Sequence, residues 1–204
     1  MNPNQIVQNP SMRSVTACFT GHRPNKLGGY DWNNPVMIRL KDRLFSVIAT
    51  LILRHGVQRF ISGGALGTDQ AAFWCVQAVK EKYPHIQNIV AVPFKSQASQ
   101  WPLESRQRYQ QMLEKADQVI YVDELPNYVD YSVPTGRYSK YKMQNRNRFM
   151  VDQSKFIVAV FDGSKGGTYN CLQYAKQTYQ DQVIYRLDPL NNFAVSLIEQ
   201  SNQW

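Results

Sequence analysis

The sequence predicts a single doubly wound α/β domain with a mainly parallel sheet flanked by helices. Short apolar segments alternate with longer amphipathic ones along the whole chain, which is the order of a βαβ architecture. The apolar segments are mostly apolar throughout rather than at every second residue, as in strands that helices cover on both faces. The length of 204 residues suits one sizeable core and leaves little room for a second full domain.

Six strands and six helices are predicted in this alternating order. Pro35 suits the first turn of the first helix, and Gly56 suits its end. A polar, proline-punctuated segment at 1–13, expected to be flexible, precedes a domain at 14–204. The strands are expected at Val15–Thr20, Arg59–Ser62, Ile89–Pro93, Gln118–Val122, Phe156–Phe161 and Gln182–Leu187. The helices are expected at Pro35–Arg54, Thr68–Lys82, Leu103–Lys115, Ser139–Val151, Thr168–Tyr179 and Phe193–Gln200.

Charge and hydropathy narrow the class of partner. The net charge of +8 favours an anion such as a nucleotide, a phosphorylated metabolite or nucleic acid, and a merely basic soluble surface is the alternative. No apolar stretch approaches the roughly 18 residues that cross a bilayer. The N-terminus has no signal-peptide pattern. We therefore expect a cytoplasmic protein without a membrane partner.

Cysteines, histidines and short motifs indicate which chemistries are absent. Cys18, Cys75 and Cys171 are odd in number, widely separated and in apolar settings, so we expect buried free thiols. Neither they nor the three histidines have metal-ligand spacing, and no metal site is predicted. No GxSxG, HExxH or close-spaced carboxylate pair is present. A strong acid/base pair is therefore not visible.

The segment between the fourth and fifth strands departs from the regular alternation. Residues 123–138 are too long and too proline-broken for an ordinary connection, and we interpret them as a candidate lid. In the basic helix that follows, Tyr141, Asn145 and Arg148 share a face. Asn145 and Arg148 are predicted to contact a ligand, whereas Lys140 and Lys142 are predicted to be solvated.

Ligands of open parallel sheets bind outside the carboxyl ends of the strands, and the first strand ends in FTGHRP. Gly21 allows the backbone to approach a ligand closely. His22 and Arg23 present polar groups at the sheet edge, where the planar guanidinium of Arg23 can hold a phosphate or a carboxylate. The alternative is a simple turn with a solvated arginine.

The second strand ends in ISGGALGTDQ. Gly63, Gly64 and Gly67 form a flexible turn before a helix, whose unpaired amides and positive dipole end attract anions. The stretch has neither the P-loop lysine nor the GxGxxG spacing. Asp69 is interpreted as a polar ligand contact, with dipole stabilisation or catalysis as the alternatives.

The fifth strand ends in FDGSKGGTYN. Asp162 ends the strand, Gly166 and Gly167 make the turn, and Thr168 is a plausible N-cap whose hydroxyl can face an anion. This is a second glycine pair at a strand-to-helix junction. Two such turns at one sheet edge predict an anion cradle that brackets one extended ligand.

The motifs GHRP, SGGALGTDQ, PF, RNRFMVDQS and VFDGSKGGTYN resemble, in this order, the YspA/YpsA-like branch of the SLOG superfamily. The match runs from about Thr16 to the final strand, and its most specific pieces are NRFMVDQS and FDGSKGGT. That superfamily is Rossmann-like and includes the LOG phosphoribohydrolases, the DNA-processing protein DprA and sensors of nucleotide derivatives. The resemblance implies a nucleotide-derived ligand, related to NAD or ADP-ribose, and a homo-oligomer.

The resemblance also implies roles for individual positions. The GGT turn corresponds to the superfamily's phosphate-binding PGGxGT motif, and Asp69 stands where the branch usually has glutamate. LOG enzymes follow their phosphate motif with a glutamate, whereas Tyr169 and Asn170 follow Thr168 here, which argues against their hydrolytic mechanism. The residues expected to bind ligand are Gly21, His22, Arg23, Ser62, Gly63, Gly64, Gly67, Thr68, Asp69, Pro93, Asn145, Arg148, Asp162, Gly166, Gly167 and Thr168.

Three functions are compatible with these features. The first is binding or sensing of a nucleotide or nucleotide derivative, with no required cofactor. The second is hydrolysis of an N-glycosidic or phosphoester bond with Asp69 as the acid or base, which requires a raised carboxyl pKa. The third is single-stranded nucleic-acid binding on the basic residues 137–148, resembling DprA. A nucleotide is the favoured partner, ahead of nucleic acid.

Overall fold

The computed structural model describes residues 10–198 and contains one seven-stranded sheet. The strand order is β4-β3-β2-β1-β5-β6-β7. The strands are β1 Thr16–Gly21, β2 Arg59–Ser62, β3 Gln87–Val92, β4 Gln118–Tyr121, β5 Phe156–Val160, β6 Val183–Asp188 and β7 Ala194–Ile198. The helices are α1 Pro10–Ser14, α2 Pro35–His55, α3 Thr68–Val79, α4 Leu103–Lys115, α5 Lys140–Asp152 and α6 Gly167–Thr178.

Every pair of neighbouring strands is parallel except β6 and β7. Along the sheet, β2 lies on one side of β1 and β5 lies on the other. The strand order therefore reverses at β1, and in doubly wound sheets ligands bind in the crevice above such a switch point. The predicted α/β class and Rossmann-like architecture are confirmed.

Helices cover both faces of the sheet, as the continuous apolar strands predict. On one face, α2 and α3 pack with Phe19, Phe60 and Val158 in the largest core cluster. On the same face, α4 and α3 pack against Val90 and Val92. On the opposite face, α5 and α6 pack on the alternate strand residues, which include Ile61 and Ile157. The sheet below the switch point is therefore packed on both faces.

The predicted helix at Phe193–Gln200 is wrong. Residues 194–198 form β7, which runs antiparallel to β6 with Tyr185 opposite Leu197, and residues 199 and 200 lie outside the described part. Asn192 and Phe193 have φ angles of 48° and 55°, so the chain reverses in a tight left-handed turn after the turn Pro189–Asn191. The β-branched Val195 and Ile198 then suit an edge strand.

The other predicted elements lie within about two residues of the observed ones, apart from the earlier end of α3. The segment 1–13 expected to be flexible falls outside the described residues up to residue 9, and α1 begins at Pro10. Cys18, Cys75 and Cys171 are buried free thiols, as predicted. Over residues 10–198, no helix is long and apolar enough to cross a membrane, and no cluster of metal-ligating side chains is found.

Candidate functional site above β1 and β5

A cavity of about 460 Å³ opens above the carboxyl ends of β1 and β5. Its volume is within the range of small-molecule sites, about 300–1,000 Å³. Six of the predicted ligand-binding residues line it: Gly21, Arg23, Asp69, Gly166, Gly167 and Thr168. The turns after β1, β2 and β5 thus meet at one site, as their places in the sequence predict.

The turn at residues 62–69, here called the closed turn, is filled by the protein's own groups. Asp69 is 6% exposed, and its Oδ2 atom accepts a hydrogen bond from the Ala65 amide at 3.2 Å. The same oxygen accepts from Nη1 of Arg146 at 3.2 Å. A buried carboxylate is stable when it is paired and hydrogen-bonded in this way. Asp69 therefore holds the turn and an arginine together at the edge of the cavity.

Arg146, on α5, is the most important residue that the sequence reasoning missed. It is 4% exposed and lines the cavity. A Cβ atom at Gly63 would overlap its guanidinium, so Gly63 is the space that Arg146 occupies. The spacing of Arg146 from Met143 and Met150, by three and four residues, was the signal: it places the arginine on the inward stripe of α5.

The closed turn is also joined to the turn after β1. Both the amide and the hydroxyl of Thr68 donate to the carbonyl oxygen of His22, each at 3.1 Å. A Cβ atom at Gly67 would lie 2.5 Å from the same oxygen, and its φ angle is +95°. Only glycine satisfies both conditions without strain. The amino end of α3 is thus closed by His22 rather than left for a ligand.

Arg23 presents a positive charge to the cavity. Over the described residues, its guanidinium makes no hydrogen bond or ion pair, although Asp69 and Arg146 lie near enough to affect it. Its surface is exposed towards the cavity, but the surrounding protein desolvates it, and this burial lowers the pKa of Arg23 while the nearby Asp69 raises it. The group stays charged at any physiological pH. The two arginines and one aspartate leave a net positive cavity.

The turn at residues 162–168, here called the open turn, leads into the amino end of α6. Within residues 10–198 no side chain caps this end, and its first turn contains no acidic residue. Among the described residues, no partner accepts from the amides of Gly167, Thr168 and Tyr169. Unpaired first-turn amides and the helix dipole attract anions. Thr168 lines the cavity rather than acting as the predicted N-cap, a position that Gly166 occupies.

A side cleft of about 250 Å³ adjoins the cavity and shares Arg23 and the 166–168 backbone with it. Lys26 and Ser164 line this cleft, and behind them Asp162 accepts from Lys26 Nζ at 2.8 Å and from the Ser164 amide at 2.9 Å. Burial alone would raise the pKa of Asp162, but the Lys26 and Ser164 hydrogen bonds hold it well below its usual range. Asp162 thus stabilises the open turn, and its carboxylate is already hydrogen-bonded to Lys26 and Ser164.

His22 connects the open turn to the closed one. Its ring is buried, and burial lowers its pKa, although the nearby Asp162 carboxylate raises it. The Asp162 amide lies 3.2 Å from Nε2 of His22 and donates to it. Oδ1 of the same aspartate also lies 3.2 Å from Nε2, so both the backbone and the side chain of Asp162 contact the ring. His22 therefore fixes both turns, with its carbonyl oxygen on one side and its ring on the other.

Several predicted ligand-binding residues lie away from the cavity. The amide of Asn145 donates to the Tyr128 carbonyl at 2.8 Å, and the Arg148 guanidinium lies 5.6 Å from the centre of the Tyr174 ring. Neither lines the main cavity. Ser62 and Gly64 face the interior, with the ring of Tyr109 against Gly64. The remaining predicted position, Pro93, is also absent from the cavity lining.

The excursion at 123–138 is anchored by a buried ion pair. Lys142, predicted to be solvated, is 1% exposed, so that prediction is wrong. Its Nζ atom lies 3.1 Å from Asp123 Oδ2 and 2.7 Å from the Pro134 carbonyl oxygen, and the Gly136 amide donates to the same aspartate. The excursion thus packs on α5, where Tyr138 at its end lines the cavity. The periodicity of α5 places Lys142 on the side that faces the core, and a charged residue at such a position was the signal for a buried ion pair.

Comparisons with known proteins agree with this fold. Residues 17–194 match the family model of the YspA SLOG family. The SPbeta prophage-derived protein YoqJ of Bacillus subtilis is 51% identical over 164 residues, covering 80% of this chain and 96% of that protein. A UPF0398 protein of Halalkalibacterium halodurans is 30% identical over 172 residues, covering 84% of each.

A solved structure shares the fold at low sequence identity. DNA processing protein A from Helicobacter pylori, described for its single-stranded DNA binding mode, superposes with a TM-score of 0.54. The identity is 16%, and the match covers 91% of this chain and 74% of that one. At this identity the likeness shows the architecture alone.

Proposed function

This chain belongs to the YspA SLOG family, and we propose that it binds a nucleotide or a nucleotide derivative in the cavity above β1 and β5. The observation that carries the proposal is the open amino end of α6, whose unpaired amides face a cavity that also contains Arg23. Amides at a helix end and an arginine are both preferred phosphate partners. The phosphate is assigned to this end of the cavity.

The nucleoside is assigned to the part of the cavity bordered by α5. Met143 and Met150 supply apolar surface there, beside the aromatic ring of Tyr138. Tyr138 is 68% exposed and contacts Phe94 edge to face, with the ring centres 5.8 Å apart. Its exposed ring is suited to stacking on a base, because stacking on an aromatic side chain contributes about 1–3 kcal/mol per base.

Binding without hydrolysis is the form of the proposal that the side chains support. The first turn of α6 has no acidic residue to act as a catalytic acid or base. Oδ2 of Asp69 accepts from the Ala65 amide and from Arg146. We therefore assign Asp69 to positioning Arg146 rather than to proton transfer. The phosphate of the ligand would bind at the open turn, and its nucleoside would be recognised at the other end of the cavity.

The test is calorimetric titration with AMP, adenosine, ADP-ribose, NAD and cyclic AMP, followed by chromatography of each mixture. AMP is expected to bind at least 10-fold more tightly than adenosine, because charge-assisted hydrogen bonds contribute about 1.5–3 kcal/mol. Arg23→Ala should remove most of this difference. Arg43→Ala, which removes the same charge from an exposed site on α2, is the control. Equal binding of AMP and adenosine would overturn the phosphate assignment, and base release would show an enzyme.

Single-stranded nucleic acid is the second candidate. Tyr138 and Tyr141 are 68% and 55% exposed, and Lys140 Nζ lies 5.2 Å from the centre of the Tyr141 ring. Exposed rings beside cations are the usual surface for single strands. Binding of an oligothymidylate that weakens steeply with salt and is lost in Tyr141→Ala would favour this candidate. Tyr141 does not line the cavity, so this variant leaves nucleotide binding as an independent readout.

A further inference from the structure

We propose that the groove between α5 and α6 is a second base-binding subsite, which takes the far nucleoside of a ligand whose phosphate lies on the open turn. The inference rests on the proposed function. The groove has a volume of about 250 Å³ and is distinct from the predicted anion cradle. It is continuous with the main cavity, since Gln144, Asn147 and Asn170 line both.

The chemistry of the groove is that of carboxamides. Five of its eight lining residues are asparagine or glutamine, and none of the eight is acidic. In the described part of the chain, these five amide side chains make no hydrogen bond. Each therefore offers a donor and an acceptor to a ligand. A paired donor and acceptor is what the edge of a nucleobase requires, as in the bidentate contact of glutamine with adenine.

The walls of the groove are held in place by contacts behind it. The Tyr174 hydroxyl donates to Asp152 Oδ1 at 2.9 Å, which fixes the ring on α6. The Arg148 guanidinium lies 5.6 Å from the centre of that ring. A planar guanidinium beside an aromatic ring can offer a base a flat surface as well as charge. Arg148, predicted from sequence to contact ligand, would do so here rather than in the main cavity.

The position of the groove connects it to the proposed phosphate site. The groove is reached from the amino end of α6 over Asn170, the fourth residue of that helix. A phosphate on the first-turn amides would therefore connect directly to a group entering the groove. The ligand class is two nucleosides joined through phosphate, either by a 5′–5′ diphosphate or by a 3′–5′ phosphodiester.

The experiment compares two ligands that differ in one base. ADP-ribose and di(adenosine-5′) diphosphate have the same diphosphate and two riboses, and only the second has another adenine. Calorimetric titration of the full chain is expected to show at least a 10-fold tighter dissociation constant for the dinucleotide. Gln173→Met should reduce this ratio to about 2-fold or less while leaving ADP-ribose affinity unchanged. Gln111→Met, an exposed glutamine on α4, is the matched control.

The outcomes separate this inference from the function beneath it. If ADP-ribose binds and the second adenine does not increase the affinity, the subsite is refuted, whereas the proposed site in the main cavity is not. The same conclusion follows if the affinity gained from the second adenine survives both Gln173→Met and Tyr174→Ala. If neither ligand binds and AMP does not bind either, both the subsite and the proposed function are refuted. Adenylyl-(3′→5′)-adenosine is the remaining arm: a gain over AMP that is lost in Gln173→Met supports the subsite and identifies a phosphodiester ligand.

Discussion

The closed turn at 62–69 and the open turn at 162–168 each connect a parallel strand to a helix through adjacent glycines. In the closed turn, the His22 carbonyl accepts from Thr68, and Asp69 accepts from Ala65 and Arg146. In the open turn, the amides of α6 have no such partners among the described residues, and the turn faces solvent. The first is part of the core architecture, and the second is accessible to a ligand.

The difference shows that a glycine pair does not by itself predict a phosphate site. Gly63 and Gly67 give space to an arginine side chain and to a backbone carbonyl, respectively. A Cβ atom at Gly166 or Gly167 would contact no described residue within 4 Å, so a ligand can approach there. What decides the chemistry of each turn is what fills the space beside its glycines: the His22 carbonyl and Arg146 fill it in the closed turn, and no described residue fills it at Gly166 and Gly167.

The largest expected effect comes from opening the closed turn. Arg146→Met removes the partner of a buried carboxylate, and breaking a buried ion pair from one side costs about 3 kcal/mol or more. Urea unfolding should show this loss, whereas Arg148→Met, at an exposed position two residues away, should change the free energy of unfolding little. Adding Asp69→Asn to Arg146→Met should recover part of the loss. A stability change below about 1 kcal/mol would mean that the pair is not desolvated.

A matched pair of glycine substitutions isolates the close approach between the turns. Gly67 and Gly163 have φ angles of +95° and +90°, but only Gly67 has a backbone oxygen where its Cβ would lie. Both alanine variants should have backbone strain of about 1–3 kcal/mol from the positive φ angle. Gly67→Ala should lose more, because the His22 carbonyl must also move. Equal losses in thermal or urea unfolding would show that the contact is not tight.

The sequence predicted the sheet because its strands are continuously apolar and its helices have clear amphipathic stripes. It also predicted that the turns after β1, β2 and β5 would meet, since parallel strands end at one edge. It did not predict β7, because residues 193–200 have enough apolar content for a short helix and the left-handed conformation of Asn192 and Phe193 has no single-residue signal. Short apolar segments at a chain end fit either period.

The site was predicted less completely, for a physical reason. Which basic residues of 140–154 turn inward depends on what the excursion at 123–138 and the closed turn offer them. Lys142 is buried because it pairs with Asp123. Arg146 is buried because it pairs with Asp69 and because Gly63 leaves space for its guanidinium. These partners are 19 and 77 residues away in sequence. Periodicity can place both residues on the inward side of α5, but it cannot identify partners so distant in sequence, and Lys142 is therefore predicted to be solvated.

A negative charge added at the open turn should increase the stability of the protein and decrease its affinity for AMP. Asn170→Asp is isosteric and adds a negative charge near the amino end of α6, which should stabilise the helix by about 0.3–1 kcal/mol. The same charge borders the cavity and should weaken AMP binding several-fold through repulsion of the phosphate. Chemical denaturation and calorimetry on the same preparation test both effects. Tighter AMP binding in the variant would place the phosphate elsewhere.

The smallest effect concerns His22, where the two turns meet. Its pKa in the folded protein is lowered from 6.5 by burial, although the Asp162 carboxylate opposes this. Below pH 6.5 the unfolded chain therefore takes up a proton that the folded ring resists, and stability must fall as the pH decreases. His22→Gln keeps an acceptor for the Asp162 amide but has no proton to gain.

Urea unfolding between pH 7.5 and 5 should therefore show a steeper loss of stability in the wild type than in His22→Gln. His55 and His85 are present in both proteins, so their titration cancels in the difference. The control also separates the two contacts of this residue, because the His22 carbonyl that receives Thr68 belongs to the backbone and survives the substitution. Parallel curves would mean that the pKa of His22 is not lowered on folding, because the Asp162 carboxylate compensates for the burial of the ring.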